Sequence, residues 1–93
     1  MVHSFETIEK ESIQSLSFPK LEVLQSNEEI KQRFVDLNRG LALGNLEHSK
    51  IKIFFEDNLS KKVVETTVWG VTDQRVILKQ GFSIPINRIY KSA

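Results

Sequence analysis

Residues 50 to 56 read Lys50-Ile51-Lys52-Ile53-Phe54-Phe55-Glu56, and the period of two in this stretch, KIKIFFE, decides the fold. Ile51, Ile53 and Phe55 project to one side while Lys52, Phe54 and Glu56 project to the other, which is the pattern of a half-buried strand. Downstream the pattern repeats. Asp57-Asn58 with Ser60 supplies turn chemistry, and the β-branched run VVETTVWGV (63 to 71) predicts a long second strand carrying Trp69 near its end. Thr72-Asp73-Gln74 makes a tight connection to RVILK, with Val76 and Leu78 on one face. A Gln80-Gly81 turn then leads to FSIPI, with Phe82, Ile84 and Ile86 on one face. Pro85 cannot donate to a ladder, so it marks a side without a partner or a bend. Asn87-Arg88-Ile89 reads as a tight turn into a last short segment, Tyr90 to Ser92. The prediction over residues 50 to 92 is a four-to-five-strand antiparallel meander, its short twisted strands favouring a small curled barrel over a flat sheet.

Upstream the period changes. Ser26 with Glu29 three residues on forms a capping-box pattern, and Glu28 and Glu29 suit the positive end of a helix. Ile30, Phe34, Leu37 and Leu41 follow at i, i+4, i+7 and i+11, one stripe of an α-helix predicted over residues 27 to 43. Either Gly40 or the Gly44-Asn45 pair supplies its C-terminal stop. The stripe is expected to cover the sheet face that carries Phe54 and Ile77. Residues 1 to 25 read as a weak helix or an arm, and LEVLQ (21 to 25) fits a strand, a docked extended segment or the approach to the helix. The predicted core is Ile30, Phe34, Leu37, Ile51, Ile53, Phe55, Val68, Val76, Leu78, Phe82, Ile84, Ile86 and Ile89.

These elements make one α+β domain over residues 1 to 93: an N-terminal helix packed on a small SH3/Sm-like barrel. A length of 93 residues leaves no room for a second core, and 40% hydrophobic with 27% charged residues is ordinary for a folded chain. No run approaches the roughly 18 apolar residues that span a bilayer, and MVHSFETIEKES lacks the basic start and apolar stretch of a signal peptide. The expectation is a cytoplasmic protein with no membrane partner. With no cysteine there is neither disulfide nor thiol nucleophile.

The layout resembles that of known small barrels. A helix, a strand ending in FFEDN, a long bent strand, RVILK, a glycine turn and IPINRI is similar to the arrangement of Sm-like and other SH3-type domains, and VWGVTDQRVILK is similar to the middle strands of bacterial Sm-like RNA chaperones. The likeness spans about residues 27 to 92. The Lys-His pair with which those chaperones bind RNA is absent: Ile86 and Asn87 stand in those places, so the family's RNA-binding residues do not carry over. The Arg-Gly signature of archaeal and eukaryotic Sm proteins is absent too. A second resemblance, through TDQRVIL with the later Ile84-Pro85 and Ile89, is to bacterial pleckstrin-homology-like domains, which imply about seven strands and a closing helix.

Catalytic material is scarce. His3 and His48 are the only histidines, four glycines at 40, 44, 70 and 81 form no phosphate loop, and a corner of His48 with Glu47 and Asp57 fits a solvated loop better than a metal site. The expectation is a non-enzymatic module without cofactor or metal. Charge is unevenly distributed: residues 1 to 49 hold five Lys/Arg against eight Asp/Glu (−3), and residues 50 to 93 hold eight against four (+4). Nucleic-acid binding would use Lys50, Lys52, Lys61, Lys62, Arg75, Lys79 and Arg88, provided the first and third strands are neighbours and their outward charges align. The leading expectation is instead an interaction or assembly module, in which an edge strand or the helix stripe meets a second copy (a homo-oligomer) or another protein.

Overall fold

The computed structural model describes residues 4–93. In chain order the elements are β1 (Glu6–Ile8), a 3-10 turn at Lys10–Ser15, α1 (Asn27–Glu47), β2 (Ile51–Glu56), β3 (Lys61–Thr66), β4 (Val68–Val71), β5 (Arg75–Leu78), β6 (Ser83–Pro85), a 3-10 turn at Ile86–Arg88, and β7 (Ile89–Ser92). The α+β class is as expected, but residues 50 to 92 hold six short strands in place of the predicted four or five, and β1 makes a seventh. They form two sheets, ordered β1-β3-β2-β7 and β4-β5-β6, and no closed barrel is present among the described residues.

The difference comes from one residue. VVETTVWGV is not a single strand: the chain leaves the first sheet at Thr66 and enters the second at Val68. Thr67 sits buried between them, its hydroxyl donating to the His48 carbonyl at 3.4 Å. The Gln80-Gly81 turn is as read, with φ of 69° at Gln80 and 91° at Gly81. Those paired positive angles are what a type I′ hairpin turn requires.

β2 keeps its alternation. Ile51, Ile53 and Phe55 are buried, and they pack with Val64, Val68, Val76, Leu78, Ile84, Ile89 and Leu37 in one core. Phe82 and Ile86 lie partly buried against it. Burial of these side chains at about 25 cal/mol per Å² is the main stabilising term for a chain without cysteine and hence without disulfides. Phe54, on the opposite face, meets the Phe5 ring edge-on at 5.1 Å, so the N-terminal segment rather than the helix covers it.

The helix departs from the predicted stripe. Ser26 caps it as expected, its hydroxyl accepting from the Glu29 amide. Neither glycine ends it: α1 runs on to Glu47, and His48, at φ 55°, is the left-handed C-terminal residue, donating its amide to the Gly44 carbonyl. The buried face consists of Arg33, Leu37, Gly40 and Gly44, whereas Phe34, expected in the core, is 57% exposed. The glycines explain the rotation. A Cβ on Gly44 would stand 2.5 Å from the Val68 carbonyl oxygen, and one on Gly40 would stand 2.5 Å from Ile51 Cδ1. Turning the glycines inward lets the helix backbone lie directly on β4 and β2, closer than a stripe of large side chains allows.

The described part of residues 1 to 25 is docked. β1 runs parallel to β3, pairing Glu6 with Lys62 and Ile8 with Val64. Ile13 is buried in the core. The Val23 amide donates to the Asn87 carbonyl, and LEVLQ forms an extended approach to the helix. No helix among the described residues is long and apolar enough to cross a membrane.

Candidate interaction surfaces

Two of the seven cations expected to meet phosphate are structural. Lys62 is buried, its ammonium donating to Asp57 Oδ1 at 3.0 Å and to the Ser60 hydroxyl at 2.7 Å. Arg88 is also buried, donating to the carbonyls of Glu56, Leu21 and Asp57. It thereby ties the β2–β3 turn to the N-terminal segment. Burial pushes the Asp57 carboxyl up, but the Ser60 and Leu59 amides and the Lys62 ammonium outweigh it, leaving the group below the usual aspartate range.

Lys61 has company of another kind. Its ammonium lies 5.3 Å from the Tyr90 ring centre and 5.9 Å from that of Phe5, and Lys91 lies 5.0 Å from that of Phe54. Tyr90 donates its hydroxyl to Glu56, and burial with that carboxylate pushes the phenol up to about 12. This face of the first sheet is thus filled by cation–ring contacts within the chain.

Lys50, Lys52, Arg75 and Lys79 are exposed, and none has a carboxylate partner among the described residues. They do not form the expected stripe. β2 neighbours β3 and β7, while β5 neighbours β4 and β6, so Lys52 and Arg75 lie in different sheets, with Lys50 just before β2 and Lys79 just after β5. His48 caps the helix and Asp57 is committed to Lys62, so these two do not make a metal corner; His3 lies outside the described residues.

Two other surfaces stand out. The first is the outer side of α1. Phe34, Val35 and Leu46 are 57%, 49% and 81% exposed, and Ala42, also exposed, falls between them on the helical wheel. Their exposure follows from what occupies the inner face. Arg33 donates from both terminal nitrogens to Glu22 at 2.6 Å and to the Ile89 carbonyl at 2.9 Å, so a charged side chain, paired at its terminal nitrogens though its buried Nε has no partner, lies inside where Phe34 was expected. The only hint in the sequence was the pairing of two glycines one helical turn apart.

The second surface is the free edge of β6. The Leu78 amide donates to Phe82 O and the Ile86 amide to Gln74 O, so even-numbered residues turn their backbone groups toward β5. Ser83 N–H and C=O therefore point away from it, while the Pro85 carbonyl opens the 3-10 turn at Ile86–Arg88. At the Pro85 end of this edge lies an open trough of about 820 Å³, whose walls include Phe18, Pro19, Lys20, Arg75, Pro85 and Asn87. A second hollow of about 530 Å³ adjoins it, shares Phe18 and Arg75, and is lined by Ser83. The sequence marks Pro85 as a side without a partner or a bend, but does not reveal the wall opposite, which comes from a segment more than 60 residues away. No protein-family model matches the chain, and no curated protein or solved structure is significantly similar to it.

Proposed function

We propose that this domain is a non-enzymatic assembly module that pairs with a second copy of itself through the outer side of α1. The observation that carries the reading is the exposure of Phe34, Val35 and Leu46 on one helix. Large apolar side chains grouped on one element, rather than scattered singly, mark contact surfaces. A second copy suits the charges as well as the apolar stripe. Two such helices packed antiparallel bring Val35 of each near Ala42 of the other, a small residue that permits close approach. The same arrangement sets the acidic first turn, Glu28 and Glu29, beside Lys50 beyond the other helix's end, and opposes the two helix dipoles.

Size-exclusion chromatography with light scattering on the 10.7 kDa chain tests this. A dimer that becomes a monomer on Phe34→Ser with Leu46→Ser, with a cooperative melt retained, is the expected result. A wild-type monomer at millimolar concentration would remove the proposal. The competing reading is RNA binding through Lys50, Lys52, Arg75 and Lys79, which the exposure of all four without acidic partners favours. Nucleic acid co-eluting with the protein, and lost steeply as salt rises, would favour that reading instead.

For the architecture, we read an opened barrel of the SH3/Sm type. Its support is the pairing of β2 with both β3 and β7, the strand that changes sheets at Thr67, and the 3-10 turn before the last strand. The count of seven strands favours the pleckstrin-homology-like alternative, but the helix stands between β1 and β2 and not after β7.

A further inference from the structure

We propose that the trough at the Pro85 end of β6, with the hollow next to it, is a separate binding site for a short extended peptide carrying an acidic side chain. Three observations converge there. β6 is strand-paired on one side only, and its free edge offers one donor and one acceptor, the N–H and C=O of Ser83, the Pro85 carbonyl being used by the 3-10 turn that follows. An added strand is held by such groups through its own backbone. The trough beside that edge is long enough to adjoin a second hollow, and Leu16, Phe18 and Pro19 on its far side give apolar side chains a surface to cover.

The charge of the site selects the ligand. Arg75 is exposed on β5, and its Nε donates to the Ser83 hydroxyl at 2.9 Å, which holds the guanidinium over the neighbouring strand. Its terminal nitrogens have no partner among the described residues, and Lys20 on the far wall has no carboxylate partner either. Asp73 and the Arg33-paired Glu22 are the acidic residues of the lining. A peptide strand added to β6 lies about 10 Å from β5, twice the interstrand spacing, a span that an arginine and a glutamate bridge end to end. The carboxylate then receives the free nitrogens of the fork.

Pro85 sets the length. Because it has no N–H and its carbonyl is used by the 3-10 turn, the edge makes at most two backbone hydrogen bonds, so it accepts a few residues and does not seed an extended sheet. The site is on the second sheet and does not depend on pairing through α1.

The experiment is an amide NMR titration of the full ¹⁵N-labelled chain with a blocked pentapeptide, threonine-valine-glutamate-valine-threonine, and its glutamine counterpart. The Ser83 amide should shift and its exchange with solvent should slow. The glutamine peptide should bind about ten-fold more weakly, and Arg75→Gln should erase that difference. A peptide N-methylated at the residue that donates to Ser83 C=O should lose most of its binding, a control that leaves the protein unaltered. No shift at Ser83 with millimolar peptide overturns the site, and equal binding of the two peptides overturns its acidic preference.

Discussion

Strand β2 and helix α1 face the same core but relate to their sequences in opposite ways. On β2 every apolar residue at the right parity is buried: Ile51, Ile53 and Phe55 lie inside, and Lys52 lies outside. On α1 the apolar stripe is only partly honoured, since Leu37 is buried while Phe34 is exposed and Arg33 lies inside. The pleat of a strand allows two orientations, and hydrophobicity chooses between them without ambiguity. A helix can rotate through small angles, so close approach at a glycine or one satisfied ion pair competes with the burial of a phenylalanine. The difference teaches that patterning governs where the choices are few, and detailed contacts govern where they are many.

The strongest way to break the comparison is Ile53→Asp. Ile53 is fully buried at the centre of β2, and an unpaired carboxylate there should abolish cooperative unfolding in a thermal melt. A retained cooperative melt would show that β2 tolerates inversion as a helix does. Next is Arg33→Ala, which leaves the Ile89 carbonyl buried without its donor and Glu22 without its partner. It should cost about 3 kcal/mol in urea unfolding, reduced from the upper range because Glu22 is partly solvated.

The glycines sharpen the comparison further. Gly44→Ala drives a methyl against the backbone oxygen of Val68, which cannot swing aside, and should destabilise by about 2 kcal/mol. Gly40→Ala meets only the end of the Ile51 side chain, and the gain in helix propensity offsets that strain to within about 0.5 kcal/mol. Equal losses at both sites would mean that closeness to β4 does not set the helix rotation.

The mildest lever is acid. Burial raises the Glu22 carboxyl, but hydrogen bonds from Arg33 and the Leu24 amide outweigh it and hold the group below the usual glutamate range. A folded value below the unfolded one means that the contribution is complete above about pH 4.3 and is lost as pH falls through the folded value. The urea midpoint of the wild type should fall in that acidic window, and that of Arg33→Ala should fall less.

Much of this molecule was legible before its coordinates. The strand parity of β2, the Ser26 cap, the Gln80-Gly81 turn and the edge position of Pro85 all rest on interactions within a few residues, where local chemistry suffices. The exposed Phe34, the change of sheet at Thr67 and the structural use of Lys62 and Arg88 rest on partners far along the chain. Arg88 illustrates the limit: its charge invited a phosphate, but its hydrogen bonds go to carbonyls at Leu21, Glu56 and Asp57. A basic residue next to a turn does not reveal from sequence whether solvent or a distant carbonyl will receive it. The β6 trough was hidden for the same reason, since one wall is strand and the other is the segment before the helix.

The first sheet has its two edges, β1 and β7, drawn from residues 6 to 8 and 89 to 92. During synthesis β1 leaves the ribosome early but has no strand to join until β3 follows, more than 50 residues later, and β2 lacks its second neighbour until residue 92 is free. Folding of this sheet is therefore held back until translation of the segment is complete, with slow closure set by distant pairings. In the interval β2 exposes an apolar face and an open edge, the two features that make a nascent sheet prone to aggregate.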